Sequence, residues 1–218
     1  MNSATFAAGK SDVLVCFAVK EEAAPFLKTA LSRRVSVLIT GMGETNASRA
    51  VLKAFETSRP ATVLSCGFAG ALDPGLAVGT VLISSDGDFP FRSQLISSGA
   101  QPATFVCAKR VAIFAREKAA LRERTGRDAV EMESKTIRRL CRERGISSAT
   151  VRVISDAANE DLPLDFNRLM TDAYQINFAK LIGNVVLRPW KIPALIGLQK
   201  KTRMAAEILS RSLETLPI

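Results

Sequence analysis

The alternation of short apolar segments with longer segments of helical periodicity is the feature of this sequence that most limits its fold. Residues 12–19, 35–40, 61–66 and 149–155 are apolar almost throughout and have the length of strands. Strands of this kind are buried on both faces, which is typical of parallel sheets that helices cover on both sides. The sequence therefore predicts a single α/β domain, in which helices flank a mostly parallel or mixed central sheet.

One domain is expected, because 218 residues are enough for a sizeable core and too few for two ordinary domains. Its predicted parts are a loose or disordered N-terminus (1–11), an α/β core (12–160) and a helical C-terminal tail packed on the same domain (161–218). Further strands are expected at 78–84 and 127–131, and a glycine-rich turn at 67–70. Helices are expected at 20–31, 44–58, 112–124, 132–144, 176–187 and 193–216.

The residue types that are missing exclude several kinds of chemistry. The chain has no histidine, which rules out His-based catalytic triads and His-ligated zinc, so acid–base chemistry falls to carboxylates, lysine or tyrosine. Its four cysteines show no C-x-x-C spacing, which predicts reduced thiols in a cytoplasmic protein. No metal or cofactor is expected, and no segment approaches the roughly 20 apolar residues of a membrane-spanning helix.

The excess of basic residues does not by itself indicate a partner. The formal net charge is +9, but it is spread over short clusters such as Arg33-Arg34 and Lys200-Lys201. A nucleic-acid binder usually concentrates its basic residues on one face. The pattern favours a solvated basic surface, and no nucleic acid is expected as partner, with a basic nucleic-acid binder as an alternative.

Acidic residues follow three of the predicted strands at their carboxyl ends, where open α/β sheets bind ligands. Glu22 follows the first strand, Glu131 and Glu133 flank Met132 at a strand-to-helix junction, and Asp156 follows the last strand. Each of them is also a residue that a helix dipole favours in a first turn. Together they are the natural suppliers of acid–base chemistry in a chain without histidine.

Two motifs resemble the signature of the purine nucleoside phosphorylase and nucleosidase family. They are AVEMES at 129–134 and VRVISD at 151–156, separated by one helix. Three further segments agree in order and spacing, so that the resemblance covers most of residues 12–158. These are VLVCFAVKEEA (13–23), VLITGMGETNA (37–47) and VLSCGFAGALDPGLAVGTV (63–81). The resemblance implies an enzyme that breaks the bond between a ribose and a purine base, and a homo-oligomer.

The same resemblance implies a function for each matching residue. Asp156 would protonate the departing purine with support from Ser155, and Glu133 would accept hydrogen bonds from the ribose hydroxyls. Glu22 would orient the attacking water. Further substrate contacts are implied for Met132, Glu131, Gly67, Phe68, Ala69 and Gly70. Gly41 and Gly43 match a turn beside the pocket. A lone G-x-G is also a weak sign of a dinucleotide-binding domain, and a non-catalytic nucleoside-binding protein is the alternative from another class.

Departures from the family pattern bear on the nucleophile and on the base. Ser65 and Phe68 stand where phosphorylases of the family carry phosphate-binding side chains, which favours hydrolysis, with phosphorolysis as the alternative. The segment between 86 and 129 is shorter than in methylthioadenosine/S-adenosylhomocysteine nucleosidases, so the base contacts cannot be assigned. Candidates for stacking on the base, each also a candidate for the core, are Phe68, Phe89, Phe91 and Phe105.

The tail and the shortened middle resemble the hopanoid-associated phosphorylase branch of the family. The matching segments are 117–121, 125–126 and 161–166. The implied substrate is an adenosyl group attached to a triterpenoid lipid. The tail at 185–198 mixes apolar and basic residues around Trp190, which fits an element at a membrane surface. A helix packed on the sheet is the alternative for this segment.

Overall fold

The computed structural model describes residues 6–7, 12–169, 171 and 189–218. The strands are β1 (Phe6–Ala7), β2 (Val13–Phe17), β3 (Ser36–Ile39), β4 (Thr62–Ala71), β5 (Val81–Ser85), β6 (Gln101–Pro102), β7 (Phe105–Cys107), β8 (Ala129–Glu131) and β9 (Ser147–Asp156). The helices are α1 (Lys20–Ala23), α2 (Glu44–Thr57), α3 (Arg92–Ser97), α4 (Ala115–Thr125), α5 (Ser134–Arg142), α6 (Phe166–Leu169) and α7 (Ile192–Glu214). Short 3₁₀ turns occur at Phe26–Lys28, Leu31–Arg33 and Pro189–Lys191.

The strands form one mixed sheet in the order β1-β3-β2-β4-β9-β5-β6, and β8 extends it by pairing with both β4 and β7. β3, β2, β4 and β9 run parallel to one another, whereas β1 is antiparallel to β3, β5 to β9 and β8 to β4. The predicted class, a mixed central sheet flanked by helices, is confirmed. The carboxyl ends of the four parallel strands meet at one edge of the sheet, which is where the site is found.

Alternate side chains of the central strands enter two different layers of the core. On β2, Val15 and Phe17 belong to an apolar cluster that includes Leu209 of α7. Leu14 and Cys16 belong to a second cluster, on the side where α2 and α5 pack. Because successive side chains of a strand point to opposite faces, an uninterrupted apolar run is what a strand covered on both faces requires.

The first predicted helix is wrong in its length. The expected helix at 20–31 ends as α1 at Ala23, and two 3₁₀ turns follow. Pro25 has no backbone N–H and so cannot donate the hydrogen bond that would continue the helix. Between 86 and 112 the structure contains α3, β6 and β7, which the sequence pattern did not predict.

The predicted turn at 67–70 is also wrong, because β4 continues without interruption to Ala71. β4 pairs with β9 from Thr62 to Gly70, and the register shifts between Ala69 and Gly70, so that Gly70 lies opposite Asp156. Glycines are common in turns, but Gly67 and Gly70 lie inside a strand, where a side chain would collide with neighbouring carboxylates.

An unpredicted strand lies near the N-terminus, whereas a predicted helix lies near the C-terminus. Phe6–Ala7, in the segment expected to be loose, form an edge strand antiparallel to β3. The predicted helix at 193–216 is present as α7, which begins at Ile192 with Pro193 in its first turn. The predicted helix at 176–187 lies outside the described residues. Within the part of the chain that the structure describes, no helix has both the length and the apolar character to cross a membrane.

Candidate active site

A cavity of about 240 Å³ opens at the carboxyl edge of the parallel strands. Its walls come from segments spread over the whole chain, from the end of β2 to α7. The lining residues are Ala18, Val19, Glu22, Met42, Phe68, Ala69, Gly70, Arg110, Val111, Ala112, Val130, Glu131, Met132, Glu133, Ser155, Asp156, Leu162, Phe166, Leu198 and Thr202. The wall is mostly apolar, and its few carboxylates converge on one space, which is typical of a small-molecule site.

Glu22 is buried at the start of α1 and fixed by three backbone donors. Its Oε2 accepts hydrogen bonds from the N–H groups of Ala18 (2.9 Å) and Val19 (3.2 Å), and its Oε1 accepts one from Phe68 (2.8 Å). Burial raises the pKa of Glu22, and the positive charge of Arg152 and the three N–H groups act in the opposite direction. The carboxylate therefore joins the ends of β2 and β4 and has an increased affinity for a proton.

Gly67 and Gly70 make room for the two carboxylates that approach β4. A Cβ atom at Gly67 would lie 2.6 Å from Oε1 of Glu22, and one at Gly70 would lie 3.0 Å from Oδ2 of Asp156. Gly67 also has φ = 151°, which residues with a side chain rarely adopt. The glycine spacing in G-F-A-G thus follows from the close approach of Glu22 to Gly67 and of Asp156 to Gly70.

Glu133 lies at the start of α5 and is linked to the glycine turn at 41–43. Its Oε1 accepts a hydrogen bond from the N–H of Gly43 (2.8 Å), and its Oε2 lies 3.4 Å from Nη2 of Arg152. Burial raises the pKa of Glu133 to about 7; Arg152 opposes this shift and Glu131 adds to it. Gly43, with φ = 83°, caps α2, so the turn brings the positive end of that helix to Glu133.

Arg152 is a residue of the site that the sequence analysis did not single out. It is fully buried on β9, and its Nη2 contacts Oε2 of Glu131 (2.7 Å), Oε2 of Glu133 (3.4 Å) and Oγ of Ser65 (3.3 Å). The signal was an arginine within an apolar strand, because a buried arginine requires acidic partners. Burial alone would lower the pKa of Arg152, but the nearby carboxylates raise it above its ordinary value, so Arg152 remains a cation.

Glu131 is an anchor for this cluster. Its Oε2 accepts from the backbone N–H groups of Glu133 (3.0 Å) and Ser134 (2.7 Å) as well as from Arg152, and its Oε1 accepts from Oγ of Ser134 (2.9 Å). Burial would raise the pKa of Glu131, but Arg152 and these N–H groups together hold it below its ordinary value. Both oxygens are engaged by the protein, so Glu131 acts on the site by fixing Arg152 and the start of α5.

Asp156, the last residue of β9, is held through both of its oxygens. Oγ of Ser155 donates to Oδ1 (2.7 Å), and Nζ of Lys118 forms an ion pair with Oδ2. Lys118 lies on α4 and is completely buried. Nothing in the local sequence distinguished it, because Glu117-Lys118-Ala119 reads as part of a solvated helix.

Some of the remaining predicted site residues lie in the cavity wall, and the others lie in the core. Met132, Phe68 and Ala69 contribute to the cavity wall, whereas Ser65 is buried beneath it against Arg152. The other candidates for stacking on a base lie in apolar clusters and not in the cavity wall; these are Phe89, Phe91 and Phe105. Among the aromatic candidates, Phe68 alone lies in the wall that the described residues form.

Sequence comparisons identify relatives of known activity. The profile of the phosphorylase superfamily matches residues 15–112 and 87–186. A 5′-methylthioadenosine/S-adenosylhomocysteine nucleosidase of Shewanella halifaxensis is 30% identical over 173 residues, covering 64% of this chain and 75% of the relative. The corresponding enzyme of Shewanella baltica is 28% identical over 179 residues, covering 66% of this chain and 76% of the relative.

Solved structures share the fold at low sequence identity. The S-adenosylhomocysteine nucleosidase of Streptococcus pyogenes, in complex with 5-methylthiotubericidin, superposes with a TM-score of 0.66 and 17% identity, covering 97% of this chain and all of the other. A Helicobacter pylori nucleosidase mutant with 5′-methylthioadenosine in its active site gives 0.66 and 15%, covering 96% of this chain and all of that one. Futalosine hydrolase of the same organism gives 0.63 and 15%, with coverage of 94% and 97%.

These comparisons agree with the motifs and with the geometry of the cavity. The relatives are nucleosidases, so the prediction of an enzyme that cleaves N-ribosyl bonds of purine nucleosides is confirmed. The profile match covers well over half of the chain. This chain belongs to the phosphorylase superfamily.

Proposed function

We propose that this chain is a purine nucleosidase that uses water to release adenine from a 5′-substituted adenosine. The observation that supports this most directly is the convergence of Glu22, Glu133 and Asp156 on one cavity. The three carboxylates come from different strand ends, and each has partners that fix its orientation. Departure of a purine from ribose leaves positive charge on the sugar and negative charge on the base, and acidic groups on opposite sides of the bond serve both needs.

Asp156 is the acid in this proposal. It would deliver a proton towards N7 of the purine as the bond to C1′ breaks, and Ser155 fixes its carboxylate by a hydrogen bond to Oδ1. Protonation turns the base into a neutral leaving group. General acid assistance of this kind contributes about 10²–10⁴-fold to a rate.

Glu133 and Met132 would hold the sugar. Hydrogen bonds from Gly43 and Arg152 fix the carboxylate of Glu133. Met132, the preceding residue, lies in the same cavity wall. A carboxylate near the ribose hydroxyls strengthens its hydrogen bonds as positive charge develops on the ring. This arrangement lowers the energy of the transition state more than that of the bound substrate.

The charges of the site favour water over phosphate as nucleophile. Four carboxylates, those of Glu22, Glu131, Glu133 and Asp156, outnumber the two buried cations Arg152 and Lys118. A third cation, Arg110 in the wall, is paired with Glu117, so an incoming phosphate dianion would meet excess negative charge. Ser65, at the position of a phosphate ligand, is engaged by Arg152. Glu22, whose pKa is raised by burial, is suited to accept a proton from water.

The substrate that we propose carries an apolar 5′ substituent, in the extreme case the triterpenoid lipid of the hopanoid-associated branch. Leu162, Phe166 and Leu198 give the cavity an apolar wall near α7. At the start of the same helix Ile192 and Ile196 are exposed, and Trp190 just before it is 71% exposed. An exposed apolar surface beside basic residues suits contact with a membrane that contains such a lipid. The homo-oligomer implied by the family stays a prediction.

The test is turnover of 5′-methylthioadenosine, S-adenosylhomocysteine and adenosine, with and without phosphate, followed by chromatography of the base and of the sugar. Hydrolysis predicts free adenine and a free ribose product at a rate that phosphate does not change. Accumulation of a ribose 1-phosphate that depends on added phosphate would establish a phosphorylase instead. Binding of these nucleosides without release of base from any of them would establish a non-catalytic nucleoside-binding protein.

A further inference from the structure

The ion pair between Lys118 and Asp156 raises a question about the acid step. Oδ1 of Asp156 accepts the hydroxyl of Ser155 and Oδ2 faces the ammonium group of Lys118, so neither oxygen has a proton of its own to give. An acid in this state has to receive a proton before it can protonate a base. Lys118 is the donor that contacts it.

Lys118 is built into this position with its three N–H bonds in use. Besides Asp156, its Nζ donates to the backbone carbonyls of Ala157 (2.8 Å) and Glu160 (2.9 Å). The side chain is completely buried, which is rare for a lysine without a functional or structural need. The two carbonyls hold the ammonium group and direct its third N–H at Oδ2. A lysine that served only to neutralise a surface carboxylate would not require such a site.

We propose that Lys118 is the positioning residue of the acid, and that it supplies the proton which Asp156 passes to the purine. This inference rests on the proposed function. As the C1′–N9 bond breaks and its electron pair moves into the base, a proton of Lys118 moves from Nζ to Oδ2 of Asp156, and Asp156 passes it to N7. Lys118 is left as a neutral amine and Asp156 as a carboxylate. Water adds to C1′ and gives a proton to Glu22. Release of the products allows Lys118 to regain a proton from solvent and Glu22 to lose one, so charge and atoms balance.

The proposal makes the effect of Lys118 depend on the leaving group. Adenine leaves well only when protonated, whereas 4-nitrophenolate leaves as an anion and needs no acid. In Lys118→Met we expect kcat with 5′-methylthioadenosine to fall by about 10²-fold or more, as for loss of general acid assistance, with KM changed much less. Hydrolysis of 4-nitrophenyl riboside should stay near the wild-type rate. The double variant with Asp156→Asn should be no slower than Asp156→Asn alone, because both residues act in one step.

Lys201→Met is the matched control, because Lys201 pairs with Oε1 of Glu160 (2.6 Å) in the same region without contacting Asp156. Lys201→Met should leave kcat unchanged for both 5′-methylthioadenosine and 4-nitrophenyl riboside. Hydrolysis of 4-nitrophenyl riboside also reports whether Lys118→Met is folded, and Lys118→Gln provides a second variant should methionine not be tolerated. Equal loss on both substrates, or normal adenine release by a folded variant, would overturn the inference. Wild-type protein that releases no base from any nucleoside refutes the proposed function itself, and the inference with it.

Discussion

Replacement of Gly67 by alanine places a methyl group against the carboxylate of Glu22. The new Cβ atom would lie 2.6 Å from Oε1 and 2.9 Å from Cδ of Glu22. Ordinary C···O contacts lie at about 3.3–3.6 Å, so Oε1 has to move by about 0.7 Å or more. The hydrogen bond of 2.8 Å from Phe68 N–H to Oε1 is then lost or bent, and the carboxylate turns away from its position in the cavity wall.

The size of the effect follows from this displacement. A shift of about 1 Å in a catalytic group can cost about 10²-fold in rate, so we expect kcat for adenine release to fall by about that factor. The loss of one of the three hydrogen bonds of a buried carboxylate costs about 1–3 kcal/mol of the free energy of unfolding. The backbone at Gly67, with φ = 151°, adds strain of its own.

Kinetics and denaturant unfolding separate these contributions. Gly87→Ala is the control, because a Cβ atom there would meet nothing within 4 Å. In the background of Glu22→Ala the new methyl group has no carboxylate to meet, so Gly67→Ala should cost about 1–2 kcal/mol less there than in the wild type. An equal cost in both backgrounds would show that backbone strain alone is responsible and would refute the steric account of the motif.

Three further predictions concern the acid, the ribose contact and the tail. Asp156→Asn should lower adenine release by about 10²–10⁴-fold, and it should also lower thermal stability, because the buried ammonium group of Lys118 loses its carboxylate; turnover at the wild-type rate would remove Asp156 from the mechanism. Because burial raises the pKa of Glu133 to about 7, its carboxyl ionises as the pH rises through that value, and kcat/KM should rise with it. The same raised pKa makes its contribution to stability present at low pH and lost as the pH rises through about 7, and Glu133→Gln should remove both dependences. Trp190→Ala should reduce binding to liposomes while turnover of 5′-methylthioadenosine is unchanged; a lower melting temperature with unchanged liposome binding would indicate a packed tail.

Much of the architecture could be predicted because the residue types within each short segment show whether that strand is buried. An apolar run such as that of β2 is explained by helices on both of its sides, and the sequence pattern alone leads to that arrangement. The positions of Glu22 and Asp156 at one edge then follow from parallel pairing, whereas Glu133 reaches that edge because β8 pairs antiparallel with the end of β4. The resemblance to the family and the enzyme class are confirmed by the comparisons; the individual residue assignments and the cytoplasmic location stay predictions.

The parts that were missed depend on contacts between distant segments. Gly67 and Gly70 look like turn residues, and only the approach of Glu22 and Asp156 from other elements explains their presence in a strand. Lys118 looks like a solvated helix residue until the segment beyond β9 covers it. Arg152 could have been found, because a charge inside an apolar strand is a visible anomaly.

The pairing of β4 with β9 has a consequence for how this domain folds. Ser155 and Ala69, which meet across that pair, are 86 positions apart in the chain. Contacts of such long range are slow to form, since a large loop has to close before they contribute any stability. We therefore expect the edge of the sheet that carries the cavity to form late in folding, after the local helices. A ligand that binds only this completed edge would add its binding free energy to the stability of the whole domain.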